Sequence, residues 1–491
     1  MRASARTGSW VLSVSVLLLF AAASVSLAGE GQIPVTTASD AARAAYEKGW
    51  EVSQNLKSQE SLAHYEKAVA EDPGFALAYY DLALANAAVG NLQGFFGNLD
   101  KAVALADDVS DGERLLILGG HAGAHDNPTH QRELYRQLVE AYPQAKRAHY
   151  ALGLYYYGQR EFSSAAQELE KATQLSPDYA TAYNNLGYAY SRLGRYADAE
   201  KAFKRYTELI PDEPNPHDSL GELLMKMGKF DESIAAYERA LALDSAFYPS
   251  YVGVGMNLVY KGDSDGGRAS FQKLYDVAPT DAQRRQALFW MTMSYVEEGR
   301  LEEAMPPLKK RYAMAEKSQD PSAMGADLGI MGDILLERGD TERAMAKYVD
   351  SEQVIAASDL SKEVKDEAAQ GLLFNEVRVA LAQGDVAMAR SKAEEFRARA
   401  QAGHDPLEME QWHQLAGMIA LHEERFDDAI QELPQANQRD PRNLCRLAQA
   451  CEGKGDKERA LELWAQAADF NELNYGYTFI RRAAKAKLGD M

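Results

Sequence analysis

Cysteine is nearly absent: the 491 residues contain two, Cys445 and Cys451. That excludes a disulfide-stapled scaffold and any four-cysteine zinc module. The two lie six positions apart within one predicted helix. At 1.5 Å rise per residue their Cα atoms stand about 9 Å apart, too far for a disulfide, so both are expected free and buried. Basic charge is also scarce. Lys and Arg total 53 against 73 Asp and Glu, a net charge of −20. Nucleic acid and anionic membrane surfaces both demand a basic face, so neither is an expected partner. No run after residue 28 is long and apolar enough to span a bilayer. A Gly-x-x-x-x-Gly-Lys phosphate loop, a dinucleotide fingerprint and a His-Glu-x-x-His zinc motif are all missing. What remains, 46% apolar and 26% charged residues, is ordinary for a folded chain.

Residues 1–28 have the three parts of a secretory signal. Arg2 and Arg6 supply positive charge, Val11 to Ala23 is a charge-free and mostly apolar run, and Ser26 and Ala28 place small side chains before Gly29. As a helix the run spans roughly 20 Å, short of the about 30 Å hydrocarbon core. Cleavage after Ala28 and export to the periplasm or outside the cell are expected, with no integral membrane span afterwards. An uncleaved anchor is the alternative. Residues 29–41 read as a flexible leader.

The rest of the chain is periodic. Gly119, Gly153, Gly187, Gly221 and Gly255 recur at one constant interval, preceded by Leu118, Leu152, Leu186, Leu220 and Val254. Pro143, Pro177 and Pro211 keep the same period. A small residue follows each of four glycines by 12: Ala165, Ala199, Ser233 and Gly267. An aromatic residue or leucine follows by 16: Tyr135, Leu169, Phe203, Tyr237 and Phe271. Within each unit, positions 4, 7, 8 and 11 lie on one helical stripe. Small residues at 8 and 20 let paired helices approach to about 8–10 Å. Gly194, Gly228 and Gly262 sit between the helices, where a helix ends on glycine. No pair buries its apolar faces alone, so each stacks on its neighbours.

This pattern resembles the tetratricopeptide repeat, a helix–turn–helix unit of about 34 residues. The clearest copy begins Thr181-Ala182-Tyr183-Asn184-Asn185-Leu186-Gly187-Tyr188 and continues through Gly194, Ala199, Phe203 and Pro211. The resemblance covers nearly all of the chain after the signal. It implies an all-α fold, a right-handed α-α superhelical solenoid of about 12 repeats. Residues 42–284 form a regular array and 285–409 longer, irregular repeats. C-terminal repeats occupy 410–474 and a capping helix 475–491. Pro306, Pro307 and Pro434 fall inside second helices and should kink them or shift their start.

The resemblance also implies a concave groove lined by positions 2, 5, 9 and 12 of the first helices. These include Tyr150, Leu154, Tyr157, Thr181, Asn184, Tyr188, Met225, Met256, Val259, Phe289 and Met293, with Asn185 a further amide contact. The clamp that some family members use for chaperone tails does not fit. Asn185 matches its middle position, but Tyr150, Leu154, Asn215 and Ser219 do not match the others.

Other clusters read as structure. Gly262-Asp263-Ser264-Asp265-Gly266 matches a nucleophile elbow in letters, yet falls on an inter-helix turn and not between a strand and a helix. As a calcium loop it has Leu274 where the bidentate Glu belongs. His121 and His125 share a helix face near Asp126 and His130, without a fixed third ligand. Arg481, Arg482, Lys485 and Lys487 read as the solvated face of the last helix. No catalytic, cofactor or metal site is expected, since the repeats leave no room for a separate catalytic domain. The function expected is a non-enzymatic scaffold of the periplasm or cell envelope that binds a peptide or protein segment. The alternative is an accessory factor of envelope biogenesis, in polysaccharide export or outer-membrane assembly.

Overall fold

A computed structural model describes residues 31–403 and 406–490, so the signal and its cleavage site lie outside the described residues. No strand occurs among the described residues. The chain divides into two compact units, one up to Ala189 and one from Tyr190.

The N-terminal unit runs α1 (Asp40–Gln54), α2 (Ser58–Glu71), α3 (Ala76–Ala88), α4 (Leu92–Ala104) and α5 (Asp111–Ala124). It continues with α6 (Pro128–Ala141), α7 (Lys146–Gly158), α8 (Phe162–Leu175) and the start of α9 (Ala180–Arg192). The C-terminal unit opens with α10 (Tyr196–Leu209), α11 (Pro214–Lys226), α12 (Phe230–Leu243), α13 (Pro249–Lys261) and α14 (Ser264–Val277). Longer helices follow: α15 (Asp281–Glu298), α16 (Met305–Lys317), α17 (Pro321–Glu337), α18 (Thr341–Ala356), α19 (Lys362–Ala382) and α20 (Val386–Gly403). The unit closes with α21 (Pro406–His422), α22 (Phe426–Glu432), α23 (Pro441–Lys454), α24 (Lys457–Ala468) and α25 (Tyr475–Asp490). Successive helices pack as pairs, α1 on α2 through α7 on α8 in the first unit and α11 on α12 through α23 on α24 in the second.

The constant repeat spacing is a packing requirement. A Cβ on Gly119 would lie 2.3 Å from Tyr135 Cε1, and one on Gly255 would lie 2.2 Å from Phe271 Cε1. The recurrent glycine is thus the seat for the ring that recurs on the second helix, which brings the two helices of a pair together. The prolines act on helix ends. Pro306 and Pro307 stand in the first turn of α16 and delay its start to Met305. Pro434 ends α22 after seven residues and turns 433–435 into a 3-10 turn. The extra residues after 285 lengthen helices: α17 has 17 residues and α19 has 21, against 13 in α11.

The expected loose leader is instead tied down over residues 32–36. Gln32 Nε2 donates to Gln144 O at 2.7 Å, and the Thr36 amide and hydroxyl donate to Glu113 at 2.8 and 2.5 Å. Ser110 Oγ donates to Pro34 O at 3.1 Å. Glu113 also completes the capping box of α5 with Ser110. One carboxylate therefore both caps a helix and anchors the leader.

Asp218 carries a pH signature. Burial pushes its carboxyl up to about 6, with Glu222 adding to the rise, although Ser250 Oγ donates to it at 2.6 Å. A raised folded-state value means stability present at low pH is lost as pH rises through the folded pKa. Asp218→Asn should therefore gain stability over the wild type between about pH 4 and pH 7, by roughly 1–3 kcal/mol. Urea midpoints of both proteins across that range test it. A difference independent of pH would contradict it.

Candidate functional site

The N-terminal unit contains an open hollow of about 620 Å³. First helices supply Trp50 from α1, Tyr80 and Leu84 from α3, Leu116 and Gly120 from α5, Tyr150 and Leu154 from α7, and Thr181 from α9, while second helices add Tyr65, Phe95, Leu99 and Tyr135. Counted from repeat starts at Ala42, Ala76, Gly112, Lys146 and Ala180, each of these first-helix residues stands at position 2, 5 or 9. Gly120 permits close approach, because a Cβ there would lie 2.4 Å from Tyr80 Cε2.

Arg147 and Asp81 are the charged residues of this wall, and they neutralise each other. Arg147 Nη2 meets Asp81 Oδ1 at 2.5 Å and Nη1 meets Oδ2 at 3.0 Å. Tyr46 OH donates to Asp81 Oδ2 at 2.8 Å and accepts from Arg147 Nη1 at 2.8 Å. The guanidinium lies 4.5 Å from the centre of the Trp50 ring. Burial opposes its charge, but Asp81 and then Tyr46 outweigh that and hold its pKa above the usual arginine value. Burial, reinforced by Asp81, drives Tyr46 upward, so its phenol stays neutral. What the hollow presents is therefore uncharged: aromatic faces, leucines, and the amides of Gln54, Gln131 and Gln159. Leu84 and Leu154 are 44% and 37% exposed, high for large apolar side chains.

The predicted groove residues divide. Tyr150 and Leu154 line the hollow. Tyr150 stacks on Tyr179 at 5.0 Å between ring centres, and burial raises its phenol. Asn185 Nδ2 donates to Tyr150 OH at 3.2 Å and to Thr181 O at 2.9 Å, which holds the wall. Tyr157 packs edge-on against Phe162 at 5.5 Å and lies off the hollow. Asn184 and Tyr188 are half-buried and also lie off it. The buried Asn184 Oδ1 accepts no hydrogen bond.

Met225, Met256 and Met293 are corrections: each is 0% exposed. The corresponding face of the C-terminal unit is filled by the chain's own residues 470–482. Tyr477 is buried in one core with Met225, Met256, Val259 and Met293, flanked by Phe470, Leu473, Tyr475, Phe479 and Ile480. Phe289 is half-buried, 6.2 Å from the Tyr475 ring centre. Polar contacts fix the segment. Glu472 pairs with Lys226 and with Arg192 at 3.5 Å, and its carbonyl accepts from Tyr260 OH at 2.8 Å. Tyr475 OH donates to Asp333 at 2.5 Å. In the basic cluster of the last helix, Arg482 and Lys485 are exposed as expected, and Arg481 is the correction. Arg481 is 5% exposed and donates to Glu297 Oε1 and Tyr260 O, each at 2.5 Å. Arg482, Lys485 and Lys487 are outside that core.

The remaining motifs are placed as turn and helix elements. Gly262 closes α13 at φ 94°, and Asp263 caps α14 by accepting from Gly266 N at 2.9 Å. The rings of His121 and His125 lie 4.1 Å apart, and burial, then His125, lowers the His121 pKa. No group of three metal-ligating side chains assembles among the described residues. Cys445 and Cys451 are free and buried, and burial pushes the Cys445 thiol up to about 12. No described helix is long and apolar enough to cross a membrane.

Family models described as tetratricopeptide repeats match residues 132–180, 150–214 and 214–247. Residues 132–247 carry tetratricopeptide repeats. A tetratricopeptide-repeat protein from Parabacteroides merdae is 16% identical, with a TM-score of 0.41, over 54% of this chain and 99% of that one. MamA from Desulfovibrio magneticus is 15% identical, TM-score 0.32, over 34% of this chain and 95% of its own. YrrB, described as having an unusual peptide-binding site, is 18% identical, TM-score 0.28, over 45% and 94%. No curated protein matches. Among the positions that the resemblance assigns to a groove, those of the N-terminal unit border an open hollow. The same positions 5 and 9 of the earlier repeats are Trp50, Tyr80, Leu84, Leu116 and Gly120, so position counting would have marked them as well.

Proposed function

We propose that this protein is a non-enzymatic interaction scaffold of the periplasm or cell envelope that holds a peptide or protein segment in the hollow of its N-terminal unit. The observation that carries the reading is the open apolar hollow on that unit's concave positions, with Leu84 and Leu154 exposed in or beside it. Aromatic faces and leucines there suit apolar side chains, and glutamine amides suit a backbone. With Asp81 and Arg147 spent on each other, an uncharged, apolar segment is the favoured ligand. The tetratricopeptide fold is generally an interaction scaffold. Export rests on the signal pattern of residues 1–28.

Peptides selected from a random library against the full mature chain test the site. Leu84→Glu with Leu154→Glu should weaken their binding more than a hundredfold, about 3 kcal/mol, with helicity intact because both side chains are exposed. Unchanged affinity would overturn the reading. Intact mass from envelope fractions tests export: a chain beginning at Gly29 is expected, and retention of residues 1–28 would contradict cleavage.

A further inference from the structure

A separate cavity of about 290 Å³ lies in the C-terminal unit where α17, α19, α23, α24 and α25 meet. Three guanidinium groups face it, those of Arg378, Arg442 and Arg446, and so do the carboxyls of Asp333 and Glu337. Leu336, Trp464, Phe479 and Ile480 supply an apolar wall.

Two of the three arginines are matched. Arg378 Nη1 donates to Asp333 Oδ1 at 2.6 Å. Arg442 holds Asp440 through Nε at 3.0 Å and Nη2 at 2.9 Å. Asp333 is further occupied by the hydroxyls of Tyr348 at 2.7 Å and Tyr475 at 2.5 Å. Arg446 differs. Its Nη1 donates to the neutral Asn443 Oδ1 at 2.7 Å, and no described carboxylate pairs with it. Glu337 pairs with none of the three, and burial raises its pKa. Burial, with Arg442 and Arg378 close by, pushes Arg446 down to about 10. Arg446 is half-buried, so its guanidinium keeps some access to the cavity's solvent while it lacks a carboxylate partner of its own. The carboxylate acting on Arg446 is that of Asp440, which is already paired with Arg442.

We infer that this cavity binds a small monocarboxylate with an apolar body, its carboxylate held by Arg446. The planar guanidinium fork matches a carboxylate through two parallel hydrogen bonds. The apolar wall takes the body, and the volume suits a ligand at the small end of the range for such sites. One unmatched positive charge fits a monoanion. A phosphate dianion would face Asp333 and Glu337 on the same wall. Cys445, also on the wall, stays a thiol, so the site binds its ligand without a nucleophile.

Calorimetry on the full mature chain with benzoate, benzamide and inorganic phosphate tests the assignment. Saturable benzoate binding is expected, at least tenfold tighter than benzamide or phosphate. Arg446→Met should abolish it while helicity and the thermal midpoint hold. Retained benzoate binding in that variant, equal binding of benzamide, or no benzoate heat would overturn the site. Phosphate binding as tight as benzoate would overturn the monoanion. Should Arg446→Met not fold, Trp464 fluorescence in the wild type decides: a change with benzoate but not benzamide supports the site, and none overturns it.

Discussion

Removal of residues 470–491 is expected to destabilise the C-terminal unit by more than about 5 kcal/mol. The segment sets Tyr477 into the core with Met225, Met256 and Met293 and packs the half-buried Phe470, Leu473, Tyr475, Phe479 and Ile480 against it, and a fully buried large side chain contributes about 1.5–3 kcal/mol, a half-buried one less. Its loss also strips Glu297 of Arg481 and Asp333 of Tyr475. The truncated chain should bind a hydrophobic dye, self-associate, and exchange the amides of α13 and α15 quickly. In the full chain, Tyr477→Ala should cost about 3–5 kcal/mol on its own, as for a buried aromatic. Unchanged exchange in α13 and α15 after truncation would show that the segment is dispensable.

Asp81→Ala should cost the N-terminal unit about 3–5 kcal/mol, because it strands a buried guanidinium and removes the acceptor of Tyr46. Exchange of α3 and α7 amides should rise in proportion. Asp81→Leu combined with Arg147→Met should recover most of the loss, since a packed apolar pair replaces a buried ion pair at little net cost. A loss under about 1 kcal/mol for Asp81→Ala would mean that water reaches the pair and screens it.

The helix pairs were legible because their spacing is itself a contact. α3, α7 and α9 begin at Ala76, Lys146 and Ala180, the repeat starts from which the positions are counted. Pairing within one repeat is local, so Gly119 and Tyr135 announce each other from adjacent helices. The groove was half legible. Tyr150 and Leu154 fell where position counting put them, while Met225 and Met256 did not, because a segment remote in sequence lies over them. Arg481 meets Glu297 across 184 residues, and Thr36 meets Glu113 across 77. No period spans such distances, so Arg481, which reads as part of a solvated face, is buried, and a leader that reads as loose is tied down.

The central claim is that partners enter the hollow of the N-terminal unit and that the corresponding face of the C-terminal unit is already occupied by the chain itself. A photo-crosslinking residue placed at Leu154 and, in a second protein, at Phe479 tests it most directly in cells that make the native partner. The expected result is a partner adduct from position 154 and none from 479. An adduct from 479 with none from 154 would contradict the account.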